Sequence, residues 1–182
     1  MKQLTARDMT QISISTAMLS LSALIAIPIG PVPVTLQVFF FLLIPALLGP
    51  YKGTLALSLY VLIGLIGFPV FAGGSGGFQS FLSPSFGYLI GQVALAPLAG
   101  YLSRQKTGTS THILTAYMAG IILLLYVIGI SYQYWIMNTL LNTSIQLQTI
   151  IRGNLFVFLP LDLVKAAGAA LIYNRLHVII TV

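Results

Sequence analysis

The sequence predicts an all-α integral membrane protein: six transmembrane helices with a glycine-rich outer loop over a ligand pocket, in a single membrane domain spanning residues 1–182. Three observations carry that reading. Hydrophobic residues make up 58% of the chain and charged ones 5%, against roughly 25% charged in soluble domains, so a water-soluble fold of this size has no means of hiding its apolar surface. The apolar runs approach the ~20 residues that cross a bilayer as helix. The breaks between them are rich in glycine and proline, the residues that punctuate helices.

The first span is placed at 10–28. It follows a basic start, but no A-x-A-like cleavage site comes after it, so it is read as a retained helix and not a signal peptide. The second, 34–49, begins after PIGPVPV, where Pro28, Pro31 and Pro33 forbid regular helix. The third covers 53–70. FAGGSGGFQSFLSP (71–84) is too glycine-rich for a stable helix and too apolar for an ordinary exposed loop. It is expected to fold back over the membrane face, which is tolerated where protein or a cavity shelters the backbone. The fourth and fifth spans are placed at 84–103 and 112–136. NTLLNTSIQLQTIIRG (138–153) is polar with some helical spacing and predicts a short interfacial helix before the sixth span at 154–174. Trp135, Tyr132 and Tyr134 suit an outer aromatic belt.

Orientation follows from the cations, because cytoplasmic loops carry the excess of Lys and Arg. With the N-terminus inside, Lys2, Arg7, Lys52, Arg104, Lys106 and Arg175 all become cytoplasmic, and only Arg152 falls outside. The breaks at 29–35 and 71–83 then face outward. This scattered distribution, with no basic stripe, argues that the net charge of +6 is topological and that nucleic acid is not a partner. With no cysteine there is no disulfide framework and no thiol nucleophile. His112 and His177 are not spaced as metal ligands and have no serine and acid around them, so neither a metal site nor a catalytic residue is expected.

Only two carboxylate side chains occur in the chain, and one, Asp162, stands beside Lys165 in the sixth span, in FLPLDLVKAAGAALIY. If that helix starts near Asn154, the pair lies about 12–16 Å into it, on one face by its i, i+3 spacing. Pro160 cannot donate its backbone hydrogen bond, and a bend is expected there. Neutralising one another to brace packing is one role open to the pair. Placing ionisable groups in a bilayer costs several kcal/mol, however, and such groups usually line a pathway or pocket. A proton- or ion-driven carrier usually shows several intramembrane acids or paired broken helices. Here there is one such acid, no internal repeat and no Walker motif. What remains is a small membrane protein with one polar site and no engine of its own.

PIGPVPVTLQ (28–37), GFPVFAGGSGG (67–77), GYLIG (87–91) and FLPLDLVKA (158–166) together resemble the BioY family, the biotin-binding S components of energy-coupling factor (ECF) vitamin transporters. The resemblance covers nearly the whole chain in the same motif order. It implies a subunit in the cell membrane of a prokaryote, with both termini cytoplasmic, that captures biotin at the outer face and topples to release it inside. Its implied partners are a membrane-embedded ECF coupling subunit and two cytoplasmic ATPase subunits, which use the ATP, so the chain needs no cofactor of its own. Ser13 with Ala17 and Ser22 with Ala26, small residues at helical spacing, resemble the coupling face of such subunits; packing within this subunit is the other use open to them.

The resemblance also assigns a binding site. Asp162, an acceptor when ionised, suits the N–H groups of the biotin ureido ring, and Lys165 its carbonyl or the ligand carboxylate. Thr35 and Gln37 are expected near the ureido group. Phe71, Phe78 and Tyr88 are expected to wall the apolar ring and chain. Arg152 and the backbone N–H groups of Gly73 and Gly74, with Gly76 and Gly77, are candidates for the other end. Two departures stand close to this expected pocket: SPSFGYL (83–89) where the family usually reads GPTGGYL, and Leu161 where it has glycine. Both bulky residues, Phe86 and Leu161, are expected to narrow or repack it. A biotin relative such as dethiobiotin or lipoate is an alternative ligand, and a stand-alone carrier an alternative role.

Overall fold

The computed structural model describes residues 4–29, 31–104 and 110–180, the last four of these without their side chains. Lys2, Gly30, Lys106 and the side chain of His177 lie outside the described residues. Among the described residues, six α-helices make the body of the molecule. Helix α1, Ala6–Leu24, starts in a reciprocal cap: Thr5 Oγ1 accepts from Asp8 N at 3.2 Å, and the Asp8 carboxylate accepts from Thr5 N at 3.0 Å. It stops four residues before the predicted end. Pro28 biases Ile27 to extended backbone, and Ala26–Ile27 pairs antiparallel with Val34–Thr35 in a small hairpin.

That pairing also moves the start of the second helix. Thr35 Oγ1 accepts from Gln37 N at 3.3 Å, and α2 runs over Gln37–Leu48. At 12 residues it is only about 18 Å long. It sits in the middle of the bundle, touching α1, α3, α4 and α6, with Phe41, Leu42 and Ala46 fully buried. Gly49, at φ 88°, turns the chain directly into α3, Pro50–Ile66. After α3 come two short 3-10 turns at Ala72–Gly74 and Phe78–Leu82. Helix α4 covers Phe86–Arg104, α5 covers Thr111–Thr139 and α6 covers Leu147–Ile180.

The expected interfacial helix at 138–153 is the main departure. Its first residues end α5, then Asn142 and Ser144 take left-handed backbone (φ 49° and 50°) that reverses the chain. From Leu147 the same residues are the opening turns of α6, which runs unbroken through Pro160. The polarity that marked them as interfacial reflects exposure at a helix end. Helices α4, α5 and α6 are each long and apolar enough to cross a membrane, while α2 and α3 are shorter apolar helices. Large apolar side chains such as Leu62, Val127, Phe156 and Val164 stand outward at more than half exposure, the pattern of a protein whose solvent is lipid.

One end of the bundle gathers the cations. Lys52, in the first turn of α3, pairs with Asp8 of α1, and Arg104, at the end of α4, donates to Leu47 O near the end of α2 at 2.6 Å. At this end Tyr173 of α6 donates to Ser103 O of α4 at 2.9 Å, and Asn174 donates to Thr111 of α5 at 2.9 Å. Arg7 and Arg175 belong to the same end, and Arg152 to the opposite one.

Candidate functional site

The opposite end holds a cavity of about 350 Å³, within the size range of small-molecule sites, ~300–1,000 Å³. Its cover comes from the hairpin, residues 31–35, and from the segment 71–85. Its deeper wall is built by Gln37 of α2, Tyr88 and Gln92 of α4, Tyr126 of α5, and Asn154, Phe158, Asp162 and Lys165 of α6.

Asp162 is 3% exposed. One carboxylate oxygen accepts from Lys165 Nζ at 2.7 Å and the other from Tyr126 OH at 2.7 Å. With α6 starting at Leu147 and not near Asn154, Asp162 lies about 22 Å and Lys165 about 27 Å along the helix, against the expected 12–16 Å. The i, i+3 spacing brings Asp162 and Lys165 together within α6; Tyr126, the third member, comes from another helix. A second polar chain runs alongside it. Tyr88 OH donates to Asn154 Oδ1 at 2.7 Å, and Asn154 Nδ2 donates to Gln133 Oε1 at 3.1 Å and to Ile150 O at 2.8 Å. Gln133 and Asn154 are both buried. Closer to the hairpin, Thr35 Oγ1 donates to Gln37 Oε1 at 3.1 Å, Gln37 Nε2 donates to Tyr60 OH at 2.7 Å, and Tyr60 donates to Val70 O at 3.1 Å. This last chain ties α2 and α3 to the start of the covering segment.

The covering segment is held by rings. Phe71 contacts Tyr60 and Phe86, with centroids 5.5 and 6.3 Å apart, and Phe81 lies 4.4 Å from Phe86. Tyr132 OH donates to Phe81 O, so this tyrosine anchors the cover to α5. Phe71 reaches its place because Gly64 lies under it: a Cβ at Gly64 would fall 2.2 Å from the ring. Tyr88 is likewise seated over Gly129, where a Cβ would lie 2.4 Å from its ring.

Of the residues predicted for the site, Thr35, Gln37, Phe71, Tyr88, Asp162 and Lys165 line this cavity together. Gly73, Gly74, Phe78 and Arg152 do not. Gly73 and Gly74 have φ of 69° and 76°, a left-handed turn that glycine adopts without strain. Phe78 is 76% exposed with its ring on Phe81, and Arg152 is exposed on the second turn of α6. Of the other two glycines considered, Gly76 lines the cavity and Gly77 does not. Phe86 is a cavity wall residue, 2% exposed, whereas Leu161 is 44% exposed and points away. Its bulk therefore does not narrow the space.

On α1, Ser13 and Ala17 are exposed. Ser22 is buried and bonded to Leu19 O at 2.6 Å, and Ala26 belongs to the hairpin strand and is half-buried. Tyr126, Asn154, Gln92 and Gln133 were missed in the sequence. Each is a polar group inside an apolar span, the same signal that singled out Asp162.

The profile of the BioY family matches residues 1–181. A biotin transporter BioY from Thermotoga maritima is 36% identical over 170 residues, covering 93% of this chain and 95% of that protein. A probable biotin transporter BioY from Pyrococcus horikoshii is 36% identical over 173 residues, covering 94% and 97%. The chain belongs to the BioY family. In three dimensions it is similar to the crystal structure, at 2.1 Å, of the S-component for biotin from an ECF-type ABC transporter. The TM-score is 0.70 at 30% identity, covering 94% of this chain and 90% of the other. The chain is accordingly a predominantly helical membrane protein of a transporter family.

Proposed function

We infer that this chain is the substrate-binding component that captures biotin at the outer face of a prokaryotic cell membrane for ATP-driven uptake by an ECF transporter complex. The observation that carries the reading is the cavity at the cation-poor end of the bundle, with buried Asp162 paired to half-buried Lys165 on its wall. Intramembrane ionisable groups are costly and are kept for a ligand or a pathway. Relatives that match over nearly the whole chain are named biotin transporters, and the structural relative is an S-component for biotin.

Putting the cation-rich end in the cytoplasm makes the protein multi-pass, with six spans, both termini inside and the cavity outward. The ureido ring then lies toward Asp162 and Lys165, with Thr35 and Gln37 on the hairpin side, Phe71 and the ring of Tyr88 along the apolar part, and the Tyr88 hydroxyl toward the ureido ring. The exposed Ser13 and Ala17 of α1 meet a membrane-embedded coupling subunit, and two cytoplasmic ATPase subunits supply the energy.

Calorimetry on the purified chain tests this. Biotin binds with no ATP present, and Asp162→Asn weakens binding while the protein stays folded; unchanged affinity in that variant removes Asp162 from the site. Reconstituted alone in liposomes, the chain gives no sustained uptake. Robust uptake without ATPase subunits makes it a stand-alone carrier and overturns the assignment.

A further inference from the structure

The hydrogen-bond directions on the cavity wall are determined, and they describe the ligand it accepts. Asn154 Nδ2 has two hydrogens, one given to Ile150 O and one to Gln133 Oε1. A backbone carbonyl has no proton to give, so the amide nitrogen must face it, and Oδ1 is left facing Tyr88. Tyr88 therefore spends its one proton on Asn154. Tyr126 spends its own on the Asp162 carboxylate, also an acceptor. Both phenol oxygens retain lone pairs and no hydrogen, and both residues line the cavity beside Asp162, with rings 6.2 Å apart. This stretch of wall is a set of acceptors, and Lys165, with N–H groups to spare beyond the one on Asp162, is the donor beside it.

Deepening the biotin reading, on which it rests, we propose that Tyr88 and Tyr126 are specificity determinants acting as hydrogen-bond acceptors. Asn154 is the positioning residue that fixes the Tyr88 proton. The cavity therefore selects cyclic acids whose ring carries N–H groups over those whose ring carries none. A ring with N–H donors and a carbonyl satisfies both the acceptors and Lys165. A ring without N–H offers no donor to the cavity-facing lone pairs of these groups and displaces the water that would otherwise pair with them, the situation in which a site built around hydrogen bonds rejects an analogue by up to ~10⁴–10⁵-fold.

The test is competition against labelled biotin on the purified full chain. The competitors are dethiobiotin, which keeps the ureido N–H groups, and lipoate, whose dithiolane ring has none. Dethiobiotin competes within about 10-fold of biotin and lipoate at least about 100-fold more weakly. Tyr88→Phe and Tyr126→Phe each lose about 10-fold or more for the two ureido ligands and leave lipoate unchanged, so the selectivity ratio contracts. Asn154→Leu, which frees the Tyr88 proton, contracts it too. Lipoate binding the natural protein as tightly as biotin overturns the proposal. So does an equal loss for all three ligands in both phenylalanine variants, which is what a purely structural role gives. Absence of any biotin binding by the natural chain overturns the functional reading itself.

Discussion

Replacing Lys165 with methionine removes the ammonium and keeps most of the side-chain volume, leaving Asp162 buried with only Tyr126 as partner. At 2.7 Å the ion pair has a Coulomb attraction of about 6 kcal/mol at an effective dielectric of ~20. Desolvating both groups cancels most of it. The single variant loses the attraction and keeps the desolvation of Asp162, which costs about 3–5 kcal/mol for a broken buried pair. The remaining bond from Tyr126 places the expected loss near 3 kcal/mol. The double variant Asp162→Leu with Lys165→Met removes both charges, and its stability should equal or exceed that of the natural protein by up to about 4 kcal/mol. Unfolding by SDS titration in bicelles measures both, with biotin binding read in parallel. The double variant should be stable and unable to bind. A single variant as stable as the natural protein, or a double variant as damaged as the single one, refutes the reasoning that the pair is kept for the ligand at a cost in stability.

Gly129→Ala places a methyl 2.4 Å from the Tyr88 ring. Overpacking of about 1–3 kcal/mol and loss of the Tyr88–Asn154 bond should lower biotin affinity, seen by calorimetry beside thermal unfolding. Leu161→Gly should leave biotin affinity unchanged, because Leu161 is 44% exposed and outside the cavity. Its cost is about 1 kcal/mol of helix stability, and a clear change in affinity would place Leu161 on the ligand path. The hydrogen bond from Lys52 holds the Asp8 carboxyl down at about 2. A depressed carboxylate stabilises the fold above its ordinary range, near 4, and loses that contribution as pH falls toward 2. An acid titration of stability should therefore show a limb between those values that Lys52→Met flattens.

Much of the helix plan was legible because apolar periodicity and proline or glycine breaks act locally. The errors fell where local polarity has two explanations. The 138–153 stretch is polar, and polarity suits an interfacial helix as well as the exposed first turns of α6. Leu161 lies beside Asp162 in sequence, yet adjacent residues of a helix diverge by about 100°, so one faces the cavity and the other the surroundings. Arg152 was attractive as a cation, but its place on the exposed second turn of α6 keeps it from the cavity wall. Phe78 and the Gly73–Gly74 turn were reasonable members of a covering loop, and only the path of that loop decides which of its residues look inward.

By itself the sequence determined the membrane class, the end of the bundle where cations gather, and the presence of a charge pair on one helix face. Those properties depend on composition and on spacing within single elements. The tertiary structure decided which groups meet. Tyr126 reaches Asp162 across 36 positions of chain, and Tyr88 reaches Asn154 across 66. Both contacts require α6 to pack against its neighbours, Tyr126 of α5 and Tyr88 of α4, and Tyr88 itself lies close on α5 because Gly129 leaves room for its ring. Hydrogen-bond direction on the cavity wall follows from those meetings, because a hydroxyl becomes a donor or an acceptor only when its partner is known.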